Sequence, residues 1–372
     1  MNANFGRWRG GRWRERAIEA WRSRSAGEPP GDGFHGFHGI HGIHGLRGFR
    51  GDGHRGGEQA MVPRAESKSY YGRPIVKPPV WREAIPAYLF TGGLAAGSAL
   101  LAAGGDATGQ PGLRRAGRLA AMGALGASAY FLIEDLGRPD RFHHMLRVAK
   151  PTSPMSMGTW ILSGFGAAAG AAAASEVLPW RWVSGVGRIA GYAAGAIAPA
   201  LASYTAVLLA DTAVPSWHAA YPELPFVFTG SALASGAGVG LIAAPVEETG
   251  PARRMAVVGS ALELGGMRVI EQRLGLLGEP YRNGRAGRLL RAAQALTAAG
   301  LTGALLGRRS RVVSAVSGAA LLAASAATRF GIFYAGVESA KDPAYTVIPQ
   351  RERLESPQPS DAAGQGVRAP EG

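Results

Sequence analysis

From Val80 onward the chain runs in apolar stretches of roughly 20 residues, separated by short connectors that hold most of the arginine and proline. A helix of about 20 apolar residues is long enough to cross the hydrocarbon of a bilayer. The pattern predicts eight such spans: Ile85–Ala103, Ala116–Ile133, Met157–Ala174, Val186–Ala210, Phe226–Ala244, Met255–Ile270, Leu289–Leu306 and Val312–Ala335. The sixth fits least well, since MAVVGSALELGGMRVIEQRL carries Glu263, Arg268 and Glu271. Small residues dominate, as in TGGLAAGSALLAAGG and GAAAGAAAAS. In lipid, where burial from water no longer drives association, they let helix backbones approach closely. The expected fold is all-α: a polytopic integral membrane protein, an eight-transmembrane-helix bundle rich in small residues.

The flanks read differently. Residues 1–60 form a basic tail in which GFHGFHGIHGIHGLRGFRGDGHRGG repeats glycine, an apolar residue and histidine or arginine. Glycine at every third position without proline does not make a collagen helix, and a disordered tail is expected. Met61 is an alternative start, which would leave the repeat untranslated. Residues 61–84 are a flank, 85–340 the membrane domain, and 341–372 an expected disordered tail.

Composition narrows the function classes. Of 372 residues, 18% are charged, against about 25% in soluble domains. There is no cysteine, so this chain supplies no thiolate for an iron–sulfur cluster and no thioether for haem. A haem b site needs axial histidines on facing helices. Outside the tail only His143, His144 and His218 occur, the first two adjacent in a connector. The net charge of +14 is spread over tails and connectors, as in a protein facing anionic lipid rather than nucleic acid. Counted at helix ends, Lys and Arg favour both termini in the cytoplasm of a multi-pass plasma-membrane protein.

Ionisable residues within spans mark function by default. The second span ends YFLIEDLGRPDRFHHMLRVAKPTSPMSMGTW. Tyr130, Glu134 and Arg138 are spaced four apart, so a continuing helix would line them on one face, with Asp135 beside it. Gly137 and Pro139 then break the helix. Glu83 and Tyr88 lie on the same membrane side by alternation, as does Asp211 at the end of the fourth span. Glu263 and Arg329 are expected to pair, because either charge alone in lipid is expensive, with Gln294 able to join them. His218 is a further proton-transfer candidate. In the turn after the second span, Lys150, Pro151, Thr152 and Ser153 form a candidate docking surface, with Ser156 as the expected cap of the third helix.

This succession resembles the NrfD family, the polysulfide-reductase-type membrane subunits. It is preceded by PVWREAIPAYLFTGGLAAGSALLAA and followed by LLADTAVPSWHAAYPELPFVFTGSALASGAG, and the resemblance covers roughly Tyr70 to Ile348. It implies an eight-helix subunit without a redox cofactor of its own, not catalytic alone, which uses quinone or menaquinone as substrate. It further implies a four-cluster ferredoxin-like iron–sulfur partner and a molybdopterin oxidoreductase catalytic subunit. Glu83, Tyr88, Tyr130, Glu134, Asp135 and Arg138 are then the quinone and proton candidates. An ion- or solute-translocating bundle, or a purely structural anchor, is the alternative.

Overall fold

The computed structural model describes residues 74–178 and 181–355, with side chains described for 74–178 and 185–354. The glycine–histidine tail, the flank before residue 74 and residues 356–372 therefore lie outside the described residues.

Among the described residues the chain is all-helical, and eight helices have 20 residues or more. They are α1 (Ala84–Ala107), α2 (Pro111–Glu134), α3 (Pro154–Val177), α4 (Arg181–Ala210), α6 (Leu224–Ala243), α7 (Gly250–Arg273), α9 (Gly284–Leu306) and α10 (Arg311–Lys341). Short helices α5 (Pro215–Ala219), α8 (Glu279–Arg282) and α11 (Ala344–Glu355) lie at the ends. A 3₁₀ turn over Pro139–Leu146 fills the α2–α3 connector.

Helix ends follow local chemistry. Proline stands at the first position of α2 and α3, where its missing N–H would be unpaired anyway. Gly109, with φ of 67°, closes the tight α1–α2 turn in the left-handed conformation that glycine adopts without strain. Successive helices run antiparallel, so one end of the bundle carries Glu83 and the other Asp106.

Seven of the eight are long and apolar enough to cross a membrane. The exception is α7, although its 24 residues equal α1, α2 and α3 in length. Its charges have a definite arrangement: Arg253 and Arg254 are in the first turn, Arg268, Glu271 and Arg273 in the last two, and Glu263 is turned inward, 2% exposed.

α1 and α6 are among the most enclosed helices, and α3 and α9 are among the least. The contact of α1 with α6 rests on glycine. A Cβ at Gly97 would run into the Ala232 carbonyl, and one at Gly236 into the Gly97 backbone. Gly238 meets Gly318 of α10 in the same way. Close backbone contact of this kind is how dispersion holds helices together in lipid.

Two expectations need correction. The segment after Asp342 is not a disordered tail throughout, because α11 forms and buries Ala344 and Tyr345. The cap of α3 is Ser153, whose hydroxyl accepts from Ser156 N at 3.5 Å. Ser156 instead donates its hydroxyl to the Val148 carbonyl at 2.7 Å and accepts from Lys150 N at 3.0 Å, locking the turn.

Candidate functional site

The predicted quinone and proton residues gather at the Glu83 end, but they do not form one row. α2 stops at Glu134, and Asp135 takes the C-cap. Arg138 leaves the helix with φ of −137° and ψ of 86° before the 3₁₀ turn, so it does not share a helical face with Tyr130 and Glu134. The Gly137–Pro139 break comes too early for a further turn. Tyr130 faces outward, 62% exposed, edge-on to Phe131 at 5.4 Å. Glu134 and Arg138 are exposed, while Tyr88 is buried inside α1 at 3%.

Two links bring α1 and α2 together here. Arg82 N donates to Asp135 Oδ1 at 3.3 Å. Deeper, Ser128 Oγ donates to the Tyr88 carbonyl at 3.5 Å. Glu83, directly after Arg82, turns the other way. It accepts the Tyr334 hydroxyl at 2.8 Å and lies 3.7 Å from Arg285 Nη2, whose guanidinium covers the Tyr334 ring at 4.1 Å. Glu83 and Asp135 thus flank the start of α1 on opposite sides.

An aromatic stack closes the region between α1, α5 and α10. Trp81 lies parallel to Trp217 at 5.9 Å, and Trp217 contacts Phe333 at 5.7 Å. The Trp217 indole donates to the Ile332 carbonyl at 2.8 Å. Gly336 is required beside it, because any Cβ there would overlap the indole. Below, the Tyr281 hydroxyl donates to the Ser216 carbonyl at 3.0 Å. Burial pushes this phenol well above its ordinary range, and the Glu223 carboxylate adds to the shift, so it remains a neutral donor. His218 is exposed, its Nδ1 3.0 Å from the Ala210 carbonyl, and Asp211 beside it is exposed as well.

Within the bundle, Glu263 and Arg329 do not form the direct ion pair expected of them. Glu263 accepts the Thr328 hydroxyl at 2.5 Å and the Thr297 hydroxyl at 3.4 Å. Arg329, fully buried, donates to the Phe228 carbonyl at 2.6 Å and lies 3.7 Å over the Phe228 ring. Its Nε and Nη1 have no hydrogen-bond partner among the described residues. Gln294 joins neither, donating instead to Glu271 at 2.9 Å.

Sequence reasoning missed the largest charge cluster among the described residues, at the Asp106 end. Arg118, 5% exposed, reaches Glu176 Oε1 at 2.9 Å, Ser175 Oγ at 3.0 Å and Asp106 Oδ2 at 3.4 Å. Arg114 adds a bond to Glu176 at 2.8 Å, and Arg188 approaches Asp106 at 3.8 Å. Arg118 lies two turns inside α2, and a cation at that depth was the available signal. Among the described residues no group of three or more His, Asp or Glu side chains could hold a metal.

Compared with known proteins, residues 75–258 match the family described as Polysulphide reductase, NrfD. No curated protein matches the chain.

Proposed function

The chain belongs to the NrfD family through residues 75–258, and from that premise we infer that it is the membrane subunit of a quinone-linked oxidoreductase complex. It exchanges electrons with an iron–sulfur partner, in a complex completed by a molybdopterin catalytic subunit, and carries no redox cofactor itself. The observation that carries this reading is the α2 end: two adjacent carboxylates, Glu134 and Asp135, where Asp135 is held against the start of α1 through Arg82 N.

Quinone reduction takes up two electrons and two protons. A site for it needs an apolar slot, hydrogen-bond donors for the ring oxygens and a carboxylate route for protons. Glu134 and Asp135 supply that route at the membrane edge, and Tyr130 and Arg138 supply donors beside it. Glu83, held by Tyr334 and Arg285, is a further carboxylate of the same end and adds α9 and α10 to the site's surroundings. Asp211 and His218 lie at this end too, with His218 able to pass protons outward. The turn from Lys150 to Ser153, rigid through the Ser156 bridge, is the docking surface for the iron–sulfur partner.

In this subunit α7 serves as an eighth span. Its exposed residues between Arg254 and Arg268 include Val257, Val258, Ala261 and Gly265, and none of them is charged. Average hydropathy penalises Glu263, yet that side chain faces the interior. With eight spans both termini lie on one side, and the arginine distribution favours the cytoplasm.

Glu134→Gln keeps the shape and removes the ionisable group. In the assembled complex it is expected to lower quinone-coupled turnover by on the order of tenfold or more, while reduction of an artificial dye by the catalytic partner is unchanged. Equal loss in both assays would mean that assembly, not proton supply, had failed. Lys150→Glu is expected to weaken association with the iron–sulfur partner in a salt-dependent way, read by co-purification across a salt series. Unchanged association at low salt would remove the turn from the interface.

A further inference from the structure

α7 and α9 lie side by side and antiparallel. Gln294 of α9 bonds Glu271 of α7 at 2.9 Å, and Thr297 bonds Glu263 at 3.4 Å. Most of α7 and all of α9 fall beyond residue 258, where the family match ends.

Their outward faces repeat one pattern. On α7, exposed Val257, Val258, Ala261, Gly265 and Val269 form an apolar strip, and Arg268 stands exposed near its Glu83 end. On α9, exposed Arg285, Arg288 and Arg291 come first, followed by exposed Ala292, Ala295, Ala298 and Leu305, with Thr302 the one exposed polar side chain in that uncharged stretch. Each helix therefore presents an apolar face topped by arginine at the same end. The two tops flank the Gln294–Glu271 bond, three residues from it on each helix.

The carboxylates around this seam are committed elsewhere or only partly offset it. Arg273 pairs with Glu223 at 2.6 Å and Arg285 with Glu83 at 3.7 Å. Glu338 of α10 offsets part of the charge of Arg285 and Arg288. Glu271 accepts the Gln294 amide, which fixes the carboxylate in the seam but leaves its charge to offset part of that of Arg268 and Arg291. Arg291 Nη1 donates to the Arg282 carbonyl at 2.6 Å, which orients its guanidinium without neutralising it. Among the described residues neither Arg268 nor Arg291 is in an ion pair.

We propose that the seam between α7 and α9 binds an anionic phospholipid, its phosphate held by Arg268 and Arg291 and its acyl chains lying along the two apolar strips. Arg268 precedes the last residue of α7 by five positions, roughly 7.5 Å along the axis. A cation at that depth on a lipid-facing surface extends toward the interface to reach a negative headgroup. Guanidinium groups bind phosphate oxygens through paired, charge-assisted bonds, and basic pockets between membrane helices hold anionic headgroups. An acidic protein is the poorer fit, because these arginines continue into apolar faces instead of standing on a polar cap. The inference rests on α7 facing lipid and is independent of quinone chemistry.

The test is native mass spectrometry of the purified full chain, titrated with phosphatidylglycerol or with phosphatidylcholine of the same acyl chains. Each interfacial cation contributes about 1 kcal/mol toward anionic lipid, so two predict a preference of roughly thirtyfold for phosphatidylglycerol. The Arg268→Gln/Arg291→Gln variant is expected to lose that preference. The Arg268→Lys/Arg291→Lys variant retains most of it, as does Arg308→Gln/Arg309→Gln at the opposite end. Equal retention of both lipids by the unmodified chain, a measurement that needs no variant, overturns the proposal. It is equally overturned if the control at the opposite end loses the preference as fully as the seam variant does. Capture of an acidic protein through these arginines, with no preference among lipids, overturns it too.

Discussion

Glu263→Ala is expected to be among the most damaging single substitutions in the bundle, costing about 3–5 kcal/mol of stability. Glu263 is 2% exposed and Arg329 is fully buried, and among the described residues the guanidinium has the Phe228 carbonyl and ring as its close partners. Removing the carboxylate leaves the Thr328 and Thr297 hydroxyls without their acceptor and the buried cation without a nearby counter-charge. Thermal unfolding in detergent measures the loss. Glu263→Gln, which keeps an acceptor for the hydroxyls, separates lost hydrogen bonding from lost charge. The double variant Glu263→Leu/Arg329→Met removes both charges and is expected to recover most of the loss, since an apolar pair avoids the desolvation cost of buried ions. If the two single effects simply add in a double-substitution cycle, the charges are not coupled.

The second large effect is expected at the opposite end. Arg118→Met should cost about 3 kcal/mol, because the buried Arg118 bonds Glu176, Ser175 and Asp106 together. Asp106 and Glu176 are each 7% exposed, so water does not replace the lost donors. Arg114 and Arg188 remain nearby, 32% and 69% exposed, and hold the loss below that of a fully isolated pair. Arg118→Lys is expected to recover only part, since an ammonium does not reproduce the planar fork that spans three acceptors. The same unfolding assay reads both variants. A Lys variant as stable as the unmodified chain would show that charge alone, without the fork, joins α1, α2 and α3.

The candidate site was partly legible in the sequence. Alternation along an antiparallel bundle is enough to assign Glu83, Glu134, Asp135 and Asp211 to one end, since each span reverses the chain. The partners of Glu83 were not legible: Tyr334 is 251 residues away, and nothing local links them. The expected row of Tyr130, Glu134 and Arg138 failed for a local reason, because Gly137 and Pro139 end α2 before Arg138 can join the face. Ser153 and Ser156 both stood where a hydroxyl can cap α3. Their division of roles depended on where the Val148 carbonyl and Lys150 amide lay.

What the sequence determined by itself is the set of long helices and their order. Apolar run length, proline at helix starts and glycine in tight turns act over a few residues and need no partner. Even α7, the least apolar of the eight, is found as a helix of 24 residues where the pattern places one. The tertiary structure alone decided which side chains meet. Each helix can rotate and slide against its neighbours, and close contacts such as Gly97 on Gly236 and Gly238 on Gly318 stop that freedom at one arrangement. That arrangement turns Glu263 toward Thr328 and Thr297, holds Arg329 on Phe228, and brings four helices to the Asp106 end. A helix's rotation and height depend on shapes contributed by distant parts of the chain, which no local pattern encodes.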